Sequence, residues 1–373
     1  MPSVSAPCFA CILPLFFPNR VMDTAWVRRY SGPGNGDDKA VAIAVDSGGS
    51  VYVTGSSFDS TTGYDYTTIK YLPNGDTGWV RRYNGPASKY DYAVGLAMDK
   101  NGNVYVTGTA EVQPFLGGYG SFNIVTVKYF PNGDTAWVRG EFIAATDRPD
   151  FRSLGLVMDG HSNVYIAGEA FHPLYGLYGF TIKYDSAGNE AWGAPRTLSA
   201  PSNALSPIAV DSIGSNVCVI GFDGIFEYDS LGNEIWTQSF PGRPQAVDLD
   251  NVGNIYVVGE SGYNFVLIKY DSTGDSLWVR SSNVIPGWNE YRASLVATDK
   301  NNNSYVTGTI FAAPDGMAWF TKKYDPAGNQ LWFQVYNGIG LGTGRESKAM
   351  ELDSSGNIYV TGYDAIILKE NDL

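Results

Sequence analysis

The sequence predicts an all-β fold, a seven-bladed β-propeller with four antiparallel strands in each blade. A phrase of four segments recurs along the chain, and its best-preserved copy reads AVGLAMD, NGNVYVTG, NIVTVKY and NGDTAWVR from Ala93 onward. The last segment carries a tryptophan, and a repeat of roughly 40 to 60 residues is typical of propellers and solenoids. The 44 glycines and the 14% aromatic content suit many short strands joined by tight turns. The repeated tryptophans are Trp26, Trp79, Trp137, Trp192, Trp236, Trp278 and Trp332.

The first segment of each copy predicts strand A, the innermost strand of a blade. It alternates apolar and small residues, as in AVAIAVD at 40–46, and an alternation with a period of two indicates a strand. An aspartate ends the segment and a turn sequence containing Gly or Asn, such as KNGN, follows it, which predicts a hairpin. A calcium loop is the alternative, but the further spaced carboxylates of such a loop do not follow. These aspartates are Asp46, Asp99, Asp159, Asp211, Asp250, Asp299 and Asp353.

The remaining segments predict strands B, C and D. Strand B reads VYVTG or a variant, and its final glycine indicates either a bulge with positive φ or a close approach between neighbouring blades. Strand C ends in Lys-Tyr and is followed by a second hairpin turn. Strand D carries the tryptophan, a ring large enough to cover the gap between adjacent blades. The strand B glycines are Gly55, Gly108, Gly168, Gly221, Gly259, Gly308 and Gly362.

The two ends of the chain hold complementary parts of one repeat. Residues 23–30 read as a strand D with no other strand before it, and residues 348–370 supply strands A, B and C with no tryptophan strand after them. Joining the ends completes a seventh blade and leaves no unpaired sheet edge. The predicted organisation is a signal-like or disordered segment at 1–22 and one propeller at 23–373.

These motifs resemble the bacterial SBBP family of seven-bladed β-propeller repeats. The stretch NGDDKAVAIAVDSGGSVYVTGSS at 35–57 is close to the family pattern, whereas the fourth copy at 202–221 lacks its pair of aspartates. Members of that family are mostly surface or secreted proteins of unassigned activity. The resemblance therefore implies the fold and an extracellular or cell-surface location, and it implies no particular reaction.

The charge of the chain argues against nucleic acid as a binding partner. The chain has 38 acidic and 25 basic residues and a net charge of −13, so a nucleic-acid backbone would be repelled. Residues 6–18 form an apolar run of about the length of a signal-peptide hydrophobic region, and no stretch is long enough for a transmembrane helix. Cys218 takes a position that is tyrosine in other copies, and we expect it to be buried.

We expect a binding surface on the face where the B-to-C and D-to-A connections emerge, because only those connections vary in length. They include 109–123, 140–152, 169–179, 281–292, 309–318 and 337–347. Binding residues concentrate on variable loops held by a rigid scaffold. Aromatic rings on such loops suit a carbohydrate or protein partner, while mutual packing of the loops is the alternative. The candidate ligand-binding residues are Tyr92, Tyr119, Tyr175, Tyr178, Trp288 and Tyr291.

Carboxylates near the start of several A strands are candidate cation ligands at the axial opening of the same face. No cofactor is predicted, and a divalent cation such as Ca²⁺ bridging these groups is the alternative. An aspartate in this position also caps free backbone amides, so both interpretations stay open. The candidate metal ligands are Asp38, Asp91, Asp150, Glu290 and Glu346.

The predicted function is a non-catalytic binding or structural scaffold. The chain has two histidines, and we expect His161 and His172 on opposite faces, which disfavours a histidine-based acid–base pair. The alternative is a propeller enzyme with a site at the mouth of the central channel. Similarity to streptogramin lyases in the DxxGN turns would nominate His172 with Glu169, and turns such as DSAGNEAW are similar to the tryptophan-docking motif of quinoproteins.

Overall fold

The protein is all-β in the part of the chain that can be described. The computed structural model describes residues 28, 30–34, 36–114, 120–140, 150–172, 176–199, 208–221, 224–281, 288–312, 316–336, 347–352, 358–362 and 368–370. These residues contain 27 strands and no helix. The sheets are antiparallel, and within each the strands follow one another in chain order, beginning with strand A.

The strands form six four-stranded sheets and one three-stranded sheet. Sheet 1 has β1 (Asp38–Val45), β2 (Val51–Asp59), β3 (Gly63–Tyr71) and β4 (Thr77–Tyr83); sheet 2 has β5 (Asp91–Met98), β6 (Val104–Pro114), β7 (Gly120–Tyr129) and β8 (Thr135–Gly140). Sheet 3 has β9 (Asp150–Met158), β10 (Val164–His172), β11 (Gly176–Tyr184) and β12 (Glu190–Ser199); sheet 4 has β13 (Ile208–Val210), β14 (Asn216–Gly221), β15 (Gly224–Asp229) and β16 (Glu234–Gln238). Sheet 5 has β17 (Arg243–Leu249), β18 (Ile255–Ser261), β19 (Asn264–Tyr270) and β20 (Ser276–Ser281); sheet 6 has β21 (Trp288–Thr298), β22 (Ser304–Ala312), β23 (Gly316–Tyr324) and β24 (Gln330–Tyr336). Sheet 7 has β25 (Ser347–Leu352), β26 (Ile358–Gly362) and β27 (Leu368–Glu370).

The count of complete blades differs from the sequence prediction. The described residues give six four-stranded sheets rather than seven, and no sheet joins the two ends of the chain. Sheet 7 has the predicted strands A, B and C. The predicted closing strand at 23–30 lies outside the described residues, apart from Arg28 and Tyr30.

The core lies between neighbouring sheets. Each strand A lies beside the strand A of the next sheet, from β1 to β25. Between sheets 1 and 2, Tyr52, Tyr66 and Trp79 pack against Val106 and Val127 of the following sheet. Apolar side chains on both faces of a sheet are therefore buried, which explains why strand B is hydrophobic along its whole length.

The aspartate that follows strand A is confirmed as a turn residue. Asp99 accepts hydrogen bonds from the backbone amides of Asn101 and Asn103, both at 2.9 Å. Its other oxygen accepts from Asn103 Nδ2 at 2.7 Å and from Tyr105 Oη at 3.2 Å. Asp159 and Asp299 have the same set of partners. The carboxylate thus ties the hairpin to the tyrosine of strand B.

The glycine that ends strand B has a different cause from the one predicted. Its φ is not positive at Gly55 or Gly108, so the predicted positive φ is wrong there. Strand A bulges opposite this glycine, with a register shift between Ala40 and Ala42 in sheet 1. A Cβ on Gly55 would lie 1.9 Å from the Lys39 carbonyl oxygen. The closest approach therefore comes from strand A of the same sheet. At Gly108 the Tyr66 hydroxyl of the preceding sheet also comes close, 2.7 Å from the position of a Cβ, as the predicted approach between neighbouring blades requires.

The B-to-C connections are shorter than the sequence predicts. Strand β6 continues to Pro114 and β7 begins at Gly120, within the predicted loop 109–123. Likewise β10 continues to His172 and β11 begins at Gly176, within the predicted loop 169–179. The hairpins extend because aromatic and β-branched residues beyond the glycine keep pairing across the two strands.

The strand D tryptophans join each sheet to the next, as predicted. Trp79 lies on Gly133 in the C-to-D turn of sheet 2, where a Cβ would be 2.9 Å from the indole ring. Its indole N–H donates to the Pro131 carbonyl at 3.1 Å. The same contact recurs where Trp137, Trp192, Trp236 and Trp278 meet Gly188, Gly232, Gly274 and Gly328. These glycines have φ between 80° and 87°, a conformation that glycine adopts without a steric penalty.

Candidate functional site

The described part of the variable face carries a cluster of aromatic side chains where sheets 1 and 2 meet. This aromatic patch consists of Phe58, Tyr64, Tyr90 and Tyr92. The rings of Tyr90 and Tyr92 are parallel to within 1° with centroids 6.4 Å apart, and the Tyr64 ring lies 5.7 Å from Tyr92. Phe58 meets Tyr64 edge to face at 5.4 Å. Tyr90 is 46% exposed and Tyr92 is 40% exposed, so the patch faces solvent.

The patch forms because the B-to-C turn of sheet 1 touches the segment that leads into β5. Phe58 and Tyr64 pair across β2 and β3, and Tyr64 forms a parallel bridge with Tyr90. Gly63 allows the approach: its φ is 81°, and a Cβ there would lie 1.9 Å from the Lys89 carbonyl oxygen. The sequence alone does not show this contact, because it joins a turn in one copy to a connection in the next.

Two buried carboxylates hold the backbone segment that carries the aromatic patch. Asp91 is fully buried, and its side chain accepts hydrogen bonds from the Gly85 amide at 2.5 Å and the Glu111 amide at 3.1 Å. The Glu111 amide also donates to the Tyr90 carbonyl at 3.0 Å. The Glu111 carboxylate is buried and lies 3.9 Å from Lys89 Nζ. These bonds fix the backbone that carries Tyr90 and Tyr92.

A partly buried ion pair lies beside these carboxylates. Arg82 donates to Asp65 Oδ2 from Nη2 at 2.9 Å and from Nε at 3.3 Å. The same guanidinium donates to the Ser57 hydroxyl at 2.8 Å and to the Ser57 carbonyl at 3.0 Å. Charge-assisted bonds of this kind hold the end of β2 against β3 and β4 beneath Phe58 and Tyr64.

Burial and neighbouring charges shift the pKa values of Asp91 and Tyr83. Burial raises the pKa of Asp91 to about 6, the two backbone amides oppose that rise, and the nearby carboxylates of Asp65 and Glu111 add to it. Burial, assisted by Asp91, also raises the pKa of Tyr83 to about 12. A carboxyl with a raised pKa is often found at functional sites, but here both of its oxygens are occupied by amides of its own scaffold. Its arrangement fits support of the patch.

The structure locates the candidate ligand-binding residues as follows. Tyr92 belongs to the aromatic patch. Tyr178, Trp288 and Tyr291 lie in β11 and β21, at the ends nearest the variable face, and their side chains lie outside the described residues. Tyr119 and Tyr175 also lie outside the described residues. Phe58, Tyr64 and Tyr90 complete the patch, and the sequence offers no signal that singles them out from other loop aromatics.

Two of the candidate metal ligands can be described in full, and both cap backbone amides. Asp38 accepts from the Gly32 amide at 2.9 Å, as Asp91 does from Gly85. Asp150 and Glu290 lie in β9 and β21 without described side chains, and Glu346 lies outside the described residues. Among the described residues, no group of three or more His, Cys, Asp or Glu side chains is arranged to hold a metal ion.

The two histidines lie at opposite ends of strand β10, as predicted. His161 is in the turn before β10, where its amide donates to Asp159 at 2.9 Å, and His172 is the last residue of the strand. The imidazole of His172 lies outside the described side chains. None of the described segments contains a helix of the length and hydropathy needed to cross a membrane.

Comparison with known families confirms the predicted repeat. The model of the SBBP beta-propeller repeat matches residues 78–115, which extend from strand D of sheet 1 through strand B of sheet 2. The match includes Trp79, Asp99 and Gly108. An uncharacterized WD repeat-containing protein, L264 of Acanthamoeba polyphaga mimivirus, is 23% identical over 240 residues. That alignment covers 52% of this chain and 17% of the viral protein, so this chain spans a small part of its length.

Solved structures show the same fold. Sqt1 from Chaetomium thermophilum superposes with a TM-score of 0.52 at 12% identity, covering 90% of this chain and 96% of Sqt1. The WD40 β-propeller domain of Doa1 superposes with a TM-score of 0.50 at 12% identity, covering 89% of this chain and 92% of that domain. At such identities the likeness concerns the fold alone, and the protein is a β-propeller.

Proposed function

We propose that this β-propeller is an extracellular or cell-surface binding scaffold whose variable face contacts a carbohydrate or protein partner through the aromatic patch. The observation that carries the proposal is the exposure of two parallel tyrosine rings on a rigid base. Half-exposed rings held against one another offer a partner contact area and lose little entropy on binding. The location rests on the resemblance to surface and secreted repeat proteins.

The rigid base supports a role in binding because it reduces the entropy lost when a partner docks. Asp91 and Glu111 hold the segment that carries Tyr90 and Tyr92, and the Asp65–Arg82 pair holds the strands that carry Phe58 and Tyr64. Because these side chains are already ordered before a partner binds, little of the binding free energy is lost in ordering them. Lys89, which is 47% exposed at its side chain, adds a positive charge at the edge of the patch.

A binding screen with matched tyrosine variants tests the proposal. The native protein is presented to an immobilised glycan panel and to a displayed peptide library, and the best ligand of either class is carried forward. The double variant Tyr90→Ala, Tyr92→Ala is expected to bind that ligand at least about 10-fold more weakly, the loss typical of removing a contact hot spot. The Tyr263→Ala variant is the control, because Tyr263 is 71% exposed in a B-to-C turn of sheet 5, away from the patch.

The result separates a binding patch from a general effect on the fold. Equal thermal midpoints of the two variants are required before affinities are compared. Unchanged affinity in the double variant, or an equal loss in Tyr263→Ala, would contradict the assignment of the patch.

We further infer that the chain closes into the seven-bladed ring predicted from its repeat. Val41, Ile43 and Val45 of β1 are 49%, 56% and 62% exposed. Their counterparts Leu96 and Met98 in β5 pack against the preceding sheet. The apolar face of β1 therefore fits a preceding blade, and within the described residues sheet 7 is the last sheet of the series, with no following sheet in chain order.

The N-terminal segment supports the same closure. Arg28 Nε donates to the Gly75 carbonyl at 2.6 Å, in the C-to-D turn of sheet 1. In the sheets that follow, the arginine two residues after a strand D tryptophan makes this same bond, as Arg81 does to Gly133. Arg28 stands two residues after Trp26, so its contact is the one expected from strand D of a blade that precedes sheet 1.

A further inference from the structure

A slot for a guanidinium group recurs on the outer rim where one sheet meets the next. Four of these slots are filled by the arginine two residues after a strand D tryptophan, whose Nε donates to the carbonyl of the glycine in the next C-to-D turn. The donor–acceptor distances are 2.5 to 2.6 Å. These arginines are Arg28, Arg81, Arg139 and Arg280.

The other walls of the slot are aromatic and acidic. The guanidinium carbon lies 5.8 Å from the ring centroid of Trp79 in one slot and 5.3 Å from that of Trp278 in another. The next strand C contributes a tyrosine, such as Tyr129 beside Arg81. Where the turn also carries an aspartate, it adds a carboxylate: Asp134 Oδ1 lies 3.8 Å from Arg81 Nη2.

The boundary between sheets 4 and 5 has every wall of this slot and no arginine of its own. Trp236 docks on Gly274 as its counterparts do, with its indole N–H on the Ser272 carbonyl at 3.3 Å. Tyr270 and Asp275 occupy the positions of Tyr129 and Asp134. The residue two positions after the tryptophan is Gln238, and a cleft of about 290 Å³ opens there, whose lining includes Gln238, Tyr270, Gly274 and Asp275.

Sheet 4 also lacks the lysine that faces this boundary elsewhere. Lys128 and Lys183 of strand C donate to the next turn, at 2.8 Å to Ser186 and 3.2 Å to Ser230. In sheet 4 that position is Glu227, which is fully buried, and neither of its carboxylate oxygens has a hydrogen-bond partner among the described residues. The lining of the cleft therefore holds the Asp275 carboxylate and no lysine or arginine, while the Glu227 carboxyl group is buried in sheet 4 outside that lining.

We propose that this cleft binds a guanidinium group supplied from outside the chain, the side chain of an arginine or a free guanidino compound. The lining of the cleft offers the Gly274 carbonyl and the Asp275 carboxylate as acceptors. The Trp236 ring is not part of that lining, but it lies against Gly274 as the Trp79 ring lies against Gly133. A planar guanidinium can use all three at once, whereas a compact ammonium cannot stack in the same way. The site is separate from the aromatic patch and does not depend on the function proposed for it.

Titration by NMR with four small probes tests the site. The probes are methylguanidinium, N-acetylarginine methylamide, the corresponding lysine compound and the neutral citrulline compound. Both guanidinium probes are expected to saturate one site, with shifts at the Trp236 indole N–H, and the citrulline probe is expected to bind at least about 10-fold more weakly because it has no charge. Tighter binding of the arginine amide than of methylguanidinium assigns the site to arginine within a polypeptide, and equal binding assigns it to free guanidino compounds.

Three variants of this protein extend the test. Each places a residue type that is already found at the equivalent position of another copy of the repeat, so we expect all three to fold. Gln238→Arg fills the slot from within, as Arg81 does, and should abolish binding. Asp275→Asn introduces the asparagine that the equivalent turns carry at Asn233 and Asn329. This variant should bind the guanidinium probes about 3- to 5-fold more weakly, which is the contribution of an exposed ion pair. Arg81→Gln reproduces the same arrangement beside Asp134 and should raise the number of sites from one to two.

The proposal would be overturned by any of three results. One is saturable binding that persists in folded Gln238→Arg. Another is citrulline or lysine probes that bind as tightly as the arginine probe. The third is native protein that shows no shift at Trp236 while Arg81→Gln also gains no site.

Discussion

Glu227 and Cys218 show at the residue scale how one copy of the repeat departs from the others. In sheets 1 to 3 and 5 to 6, strand C presents a lysine and strand B a tyrosine, and Lys128 Nζ lies 4.9 Å from the Tyr105 ring centroid. The paired positions in sheet 4 are Glu227 and Cys218, both fully buried. Burial raises the pKa of Glu227 to about 7, the neighbouring Trp236 opposes that rise, and Asp211 and Asp271 add to it. Burial also raises the pKa of the Cys218 thiol.

Substitution of Glu227 is expected to change how stability depends on pH. An unfolded glutamate has a pKa of about 4.3, so between pH 4.3 and pH 7 the unfolded chain loses a proton that the folded protein retains. The free energy of unfolding should therefore fall as pH rises through this window, by about 2 to 4 kcal/mol for this group. In Glu227→Gln that part of the decline should be absent, which denaturant unfolding at pH 4, 6 and 8 would measure.

An exposed glutamate in the same sheet provides the control for this prediction. Glu234 begins β16 and is exposed, so Glu234→Gln should keep the native decline between pH 4 and pH 8. If the native protein and both variants lost the same free energy of unfolding between pH 4 and pH 8, the prediction would be contradicted, because Glu227 would then not retain its proton in the folded protein.

At the scale of elements, the contact between a strand D tryptophan and the next turn accounts for both the tryptophan and the glycine of the repeat. Gly133 has a φ of 87°, and its Cα faces the Trp79 ring. An alanine there would combine the cost of a left-handed backbone with a methyl group 2.9 Å from the ring. The turn and the tryptophan are therefore interdependent.

Two glycine substitutions separate the backbone cost from the contact. Gly133→Ala should lower the free energy of unfolding by about 3 kcal/mol, since it adds overpacking to the backbone penalty. Gly262→Ala should lower it by about 1 kcal/mol, because Gly262 also has a positive φ, of 62°, but a Cβ there meets no atom within 4 Å. Equal losses in urea unfolding would mean that the Trp79 contact adds nothing.

Local patterns predicted the elements better than they predicted the site. The strand D tryptophans, the turn aspartates and the burial of Cys218 follow from period, turn chemistry and position in the repeat, and the structure confirms them. The strand B glycine was misread because the bulge lies in the partner strand, whose own alternation hides it. The aromatic patch was missed in part because Tyr64 and Tyr90 belong to different copies, and sequence spacing does not show which loops of neighbouring sheets touch.

For the whole molecule, closure depends on which strand pairs with β27. Lys369 pairs with Tyr359 as Lys128 pairs with Tyr105, so Lys369 holds the strand C lysine position of sheet 7. In the other sheets that lysine is opposite the strand D tryptophan, as Lys128 is opposite Trp137. The register of a closed ring therefore places Trp26 opposite Lys369 and Val27 opposite Leu368.

Engineered disulfides test this register directly. In a background with Cys8→Ser, Cys11→Ser and Cys218→Ala, the pair Val27→Cys and Leu368→Cys is expected to form an intramolecular disulfide under mild oxidation. The pair Val27→Cys and Lys369→Cys should not, because neighbouring residues of a strand point to opposite faces and their Cβ atoms diverge. Mobility on a non-reducing gel and intact mass report the bond. A disulfide between residues so far apart in the chain should also stabilise the protein by up to about 5 kcal/mol, because it lowers the entropy of the unfolded state. Equal yields of disulfide from both pairs, or no disulfide from the first pair, would show that these two segments do not pair in one sheet.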